Sequence, residues 1–151
     1  MKTSKRQHAQ DRIKELFKKN EVLDSFIFIV SVVVFENHLN AYNEIDIALD
    51  TFPYNGVTTS FEAIWMGVPV ITMAGYNFNS RCGESINKNL NMEQLIAKDE
   101  DDYVDKAVNL SNNHNEYISL RKSVFTDSIE SSLFNKKKFA ENFFRSLNEI
   151  V

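Results

Sequence analysis

The chain is short of the residues that punctuate and cross-link a fold: 4 Gly, 2 Pro, 1 Cys and 1 Trp in 151 residues. A single cysteine, Cys82, excludes an intramolecular disulfide and fits a reducing compartment. His8, His38 and His114 lie far apart, and no Cys/His cluster has metal-ligand spacing, so no metal or other cofactor is expected. Basic residues are not in surplus. The formal net charge of −4 argues against nucleic acid as the main partner, since a phosphate backbone rewards a basic surface. Long apolar runs are lacking too: the most hydrophobic, FIFIVSVVVF at 26–35, is about half of the ~20 residues a membrane-spanning helix needs. It also follows a charged segment rather than opening the chain, so neither signal peptide nor membrane partner is expected, and the expected address is the cytoplasm.

At 151 residues the chain suits one domain with a real core and is short for two. Residues 1–25 contain a basic helical segment, with Lys2, Lys5, Arg6, Arg12, Lys14, Lys18 and Lys19 around an apolar stripe of Ile13, Leu16 and Phe17. The pattern predicts a solvated helix from about Gln10 to Lys19, rather than an arm for RNA or membrane. The β-branched and aromatic run at 26–35 predicts a strand buried on both faces. A short helix over 36–44, with Leu39 and Tyr42 on one side, leads to a strand over Ile45–Asp50. A helix near Thr59–Met66, ended by Gly67, leads to the strand VPVIT. From Ser80 the chain reads as mainly helical, and the last helix, 136–150, carries Phe139, Phe143, Phe144, Leu147 and Ile150 as a broad apolar stripe. Strand, helix, strand, helix, strand is the grammar of an α/β protein with a parallel sheet flanked by helices.

The segment DTFPYNGVTTSFEA, 50–63, places a tight turn between a strand and a helix. Ligands of open parallel sheets bind there, beyond the carboxyl ends of strands. Unpaired N–H groups and the positive end of the helix dipole attract phosphate; Gly56 permits close backbone approach, and the hydroxyls of Thr58 and Thr59 can donate to phosphate oxygens. The same letters also fit a plain helix start. Thr59 followed by Glu62 matches the capping-box pattern, in which Glu62 would reach back to the cap N–H. Local chemistry leaves both readings open.

IDIALDTFPYNGVTTSFEAIWMGVPVITMAG, followed by SRCGESI, LIAKDEDDYVDKAVNL and SSLFNKKKFAENF, closely resembles the O-GlcNAc transferase family, which includes Spindly-type O-fucosyltransferases. The resemblance covers most of the chain beyond about Glu36. It implies a partial Rossmann-like donor-binding lobe of a GT-B glycosyltransferase with a helical C-terminus. Residue by residue, it implies that Gly56, Val57, Thr58 and Thr59 hold the donor diphosphate. Glu62 then meets the ribose, and His38 and the backbone near Val33 lie beside the nucleobase. No catalytic residue is assigned. Phe35 stands where animal members have Lys, Val57 where they have His, and Glu62 where many have Asp.

The resemblance implies that residues 1–151 are one incomplete domain, the C-terminal donor-binding part of the catalytic region. The family's first lobe, helical repeats and phosphate-neutralising Lys have no counterpart here, and a protein acceptor would be met through regions not in this chain. The function expected is nucleotide-sugar binding for transfer from UDP-GlcNAc to Ser or Thr of proteins. GDP-fucose as donor, or a non-catalytic nucleotide-binding remnant, are the alternatives. Cys82 and Trp65 are expected to serve packing, and KDEDD at 98–102 to start a helix.

Overall fold

The computed structural model describes residues 2–21 and 35–150. They belong to two units, 1–33 and 34–151. In the first, α1 spans Lys2–Lys19, starting earlier than the expected Gln10, and ends on Lys18 and Lys19, where cations complement the dipole. Ile13 and Leu16 are exposed on it. The strand expected at 26–35, and with it Val33, lies outside the described residues, except that Phe35 opens a helix.

The second unit begins with α2, Phe35–Asn40, and a 3-10 turn, Ala41–Glu44. β1, Ala48–Leu49, is followed by α3, Thr58–Trp65, and β2, Val70–Met73. Then come α4, Cys82–Asn89, β3, Ile96–Ala97, and the helices α5, Glu100–Asn112, α6, His114–Glu130, and α7, Lys136–Ile150. The three strands form a parallel sheet in the order β1-β2-β3, with Ala48 opposite Val70 and Thr72 opposite Ile96. The α/β class is therefore as the sequence implies. The strand expected over Ile45–Asp50 shortens to Ala48–Leu49, and β3 adds a strand within a stretch that reads as helical.

β2 is the centre of this sheet. All four of its residues are buried, so its run is apolar on both faces except for Thr72. Ala63, Ile64, Val68, Ile86, Leu90, Leu120 and Val124 close around it, drawing α3, α4 and α6 into one core. The Asn87 side-chain amide donates to the Val70 carbonyl at 2.9 Å, tying α4 to the strand. Local signals account for several boundaries. Gly67 adopts φ +75 after α3, the left-handed conformation that suits glycine. Asp99 caps α5 by accepting from the Asp102 N–H at 2.8 Å, while Asp102 accepts from the Lys98 N–H, so KDEDD is a helix start as expected.

One packing expectation changes. Trp65 is 46% exposed; it lies at the edge of the core, with its ring against Phe125 and Phe134. The apolar stripe of α7 is present, but none of its residues is buried: Phe139, Phe143, Phe144, Leu147 and Ile150 are all exposed. Among the described residues no helix is long and apolar enough to cross a membrane.

Candidate functional site

The turn between β1 and α3 is built on Asp50. This carboxylate is 6% exposed, and both its oxygens are used. Oδ1 accepts from the Gly56 N–H at 2.6 Å and Oδ2 from the Thr72 hydroxyl at 2.8 Å. The Tyr103 hydroxyl, from α5, donates to the Asp50 carbonyl at 3.0 Å. Burial pushes the Asp50 carboxyl above its usual range, outweighing the lowering effects of the Gly56 and Thr72 bonds. Burial and the nearby Asp50 charge likewise raise Tyr103. Asn55 is also buried; its N–H donates to the Asn79 carbonyl, and its Oδ1 accepts from the Gly83 N–H. The turn is thus anchored to β2, α4 and α5 at once.

Gly56 packs closely against the first turn of α3. A Cβ there would lie 2.5 Å from the Thr59 Oγ1 and 3.0 Å from the Ser60 Oγ. α3 then begins at Thr58 with Val57 as N-cap, and no side chain caps it. The capping box expected between Thr59 and Glu62 does not form. The first-turn N–H groups of a helix have no intrahelical acceptor, and here none is supplied by a cap side chain. Val57, Thr58 and Thr59 are exposed.

Glu62 turns elsewhere. Its Oε2 lies 2.9 Å from the His38 Nε2 and accepts from the Tyr42 hydroxyl at 3.0 Å. A carboxylate only accepts, so the first of these bonds requires a proton on Nε2. The Tyr42 hydroxyl is also 3.3 Å from the Thr59 carbonyl, and its ring meets His38 edge-on at 5.8 Å. Burial, then the bond to Glu62 and its charge, push Tyr42 up to about 12. The Glu62 side chain is 19% exposed and that of His38 41%, so both remain accessible from solvent.

Of the expected site residues, the structure therefore joins His38 directly to Glu62 and links both, through Tyr42, to Thr59. Gly56 and Thr59 also line a cleft of about 170 Å³ with Tyr42, Leu49 and Val70. Val57 faces a larger groove of about 600 Å³, lined by Phe61, Phe78, Arg81, Cys82 and Leu133 among others. Cys82 opens α4 and is half-buried, its Sγ 3.4 Å from the Phe78 carbonyl. Sequence reasoning misses Tyr42 and Asp50 as site-building residues. Tyr42 is legible only as an apolar partner of Leu39, and Asp50 only as the end of a strand.

A turn anchored at the end of a parallel strand, an uncapped helix start and a carboxylate beside a histidine together form a polar site beyond the carboxyl end of β1, where open α/β sheets bind ligands. Similarity to known proteins carries this to a family. The model of glycosyl transferase family 41 matches residues 6–143, and the chain belongs to that family. It is 38% identical over 111 residues to the probable UDP-N-acetylglucosamine–peptide N-acetylglucosaminyltransferase SPINDLY of Solanum lycopersicum, covering 74% of this chain and 12% of that protein. It is 30% identical over 126 residues to the UDP-N-acetylglucosamine–peptide N-acetylglucosaminyltransferase of Giardia intestinalis, covering 83% of this chain and 8% of that protein. The fold is similar to that of a mutant of the Thermobaculum terrenum O-GlcNAc transferase, with a TM-score of 0.72 and 32% identity over 78% of this chain and 22% of that one. The chain therefore spans about an eighth of the length of the first of these relatives.

Proposed function

We propose that this chain binds the donor of a protein O-glycosyltransferase, a UDP-GlcNAc whose sugar is transferred to Ser or Thr of a protein acceptor. The observation that carries the reading is the start of α3: uncapped, exposed, with Gly56 beneath it and the Thr58 and Thr59 hydroxyls on it. A diphosphate seated there accepts from first-turn N–H groups and from both hydroxyls, as the dipole favours. Glu62, one turn on, takes the ribose hydroxyls, and His38 lies beside the base. The same helix start stabilises the diphosphate as it leaves. No metal is needed for this role. Acceptor recognition belongs to parts of the enzyme other than this stretch, and the single Cys82 accords with a cytoplasmic setting.

GDP-fucose is the second reading. Phe52, Pro53, Tyr54 and Glu62 resemble bacterial and Spindly-type members more than animal ones, and that resemblance favours keeping it. Thermal-shift titration with UDP-GlcNAc, UDP, GDP-fucose and GDP separates the two. A ligand at 100 times its dissociation constant stabilises the folded chain by about 2.7 kcal/mol. Stabilisation by the uridine compounds alone is expected. Response to guanosine compounds alone transfers the proposal to GDP-fucose, and no response to any of the four refutes donor binding.

A further inference from the structure

We propose that Tyr42 is a positioning residue for ribose recognition, its hydroxyl and the His38 ring together occupying Oε2 of Glu62 so that Oε1 is held for the ribose hydroxyls. The inference rests on the reading that Glu62 meets the ribose. A glutamate at a surface carries several rotatable bonds, and ordering it on binding costs free energy that a pre-set rotamer avoids. Here the rotamer is set by two donors on one oxygen, at 2.9 Å from His38 and 3.0 Å from Tyr42. No described residue donates to the other oxygen.

Tyr42 is suited to this task. It is 9% exposed, sits in the 3-10 turn that docks on the core, and meets His38 edge-on. A phenol pushed up to about 12 keeps its proton throughout any ordinary working range. Its hydroxyl also lies 3.3 Å from the carbonyl of Thr59, so one atom touches the ribose carboxylate and the backbone of the diphosphate turn. Glu62 cannot shorten or rotate away without breaking both bonds on Oε2. The longer side chain, where many family members have Asp, is thereby given a fixed reach.

The test measures binding of UDP and GDP, and of the 2′,3′-dideoxy form of each, to the full 151-residue chain by calorimetry. The unsubstituted chain is expected to prefer the better-bound ribonucleotide over its dideoxy form by about tenfold, the scale of hydrogen bonds to a charged group. Tyr42→Phe keeps the ring and is expected to cut that preference to about two- to threefold with dideoxy affinity unchanged. Full preference retained in Tyr42→Phe overturns the proposal, whether or not the melting temperature falls. His38→Ala removes the other donor from a half-exposed position and decides the matter if Tyr42→Phe does not fold: preference lost supports it, preference kept overturns it. Glu62→Ala separates the two levels. If it keeps the preference, the ribose reading itself fails; if it loses the preference while Tyr42→Phe does not, only the role of Tyr42 fails. No binding of either ribonucleotide to the unsubstituted chain overturns both.

Discussion

Replacing Asp50 by Ala removes the acceptor of two donors at once. The Gly56 N–H at 2.6 Å and the Thr72 hydroxyl at 2.8 Å would both be left without their partner. Thr72 is fully buried, so water cannot easily take over there, and each stranded group costs about 1–3 kcal/mol. Against this stands a gain, because a carboxylate that burial pushes up is itself costly to keep ionised. The net expectation for Asp50→Ala is a loss of about 2–4 kcal/mol, and roughly 3 °C of melting temperature per kcal/mol at this size. Asp50→Asn retains one acceptor for the Gly56 N–H and can donate to the Thr72 oxygen, so it should stay within about 1 kcal/mol of the unsubstituted chain. The pH dependence separates charge from hydrogen bonding. The folded chain holds this carboxyl above its unfolded value, so the fold favours the protonated form. That contribution is complete below about pH 4 and is lost as pH rises through the folded value. Asp50→Asn does not titrate there, so its stability should gain on the unsubstituted chain as pH rises from about 4 and then level off. Urea denaturation at a series of pH values reads all three quantities. Asp50→Ala costing under about 1 kcal/mol, or Asp50→Asn costing as much as Ala, would refute the reasoning.

Gly83→Ala should destabilise by about 1–3 kcal/mol, because its Cβ would lie 2.5 Å from the Asp50 Oδ2 and 2.7 Å from the Thr72 Cβ in a buried setting; a melting curve checks this. Thr58→Val should weaken UDP binding by about 1–3 kcal/mol with unchanged melting temperature, since the hydroxyl is exposed and makes no cap. Tyr42 is held at about 12 against an ordinary 10.0, so its protonated form is the one the fold favours. Its stabilisation is complete below about pH 10 and is lost on rising toward pH 12; Tyr42→Phe should remove that component from the alkaline stability profile.

Much of the site is legible in the sequence because its signals are local. A strand end, a glycine, two threonines and an apolar helix are neighbours along the chain, and the start of α3 falls at Thr58, close to the expected Thr59. The capping box shows the limit of such reasoning. Thr59 and Glu62 have the right types and spacing, yet Glu62 is taken by Tyr42 and His38, which lie 20 and 24 positions away. A pattern confined to four residues cannot register competitors brought in by the docking of α2 and its following turn. Trp65 departs from expectation similarly: its helix is apolar, but whether a helix edge is covered depends on where α6 stops, and Phe125 and Phe134 cover only part of the ring.

By itself the sequence determined the α/β class, the Asp-rich start of α5, the glycine stop after α3, and the family to which these motifs belong. Each of these follows from side-chain type at fixed short spacing, where hydrophobic period, capping and φ preference act directly. Tertiary structure alone decided that two-residue Ile96–Ala97 becomes a third strand, because the edge of β2 offers unpaired backbone groups that no periodicity announces. It alone decided that Asp50 clamps the turn and that Tyr42 and His38 share one oxygen of Glu62. Hydrogen-bond partners distant in sequence are chosen by packing, and packing is settled only when every element has found its place.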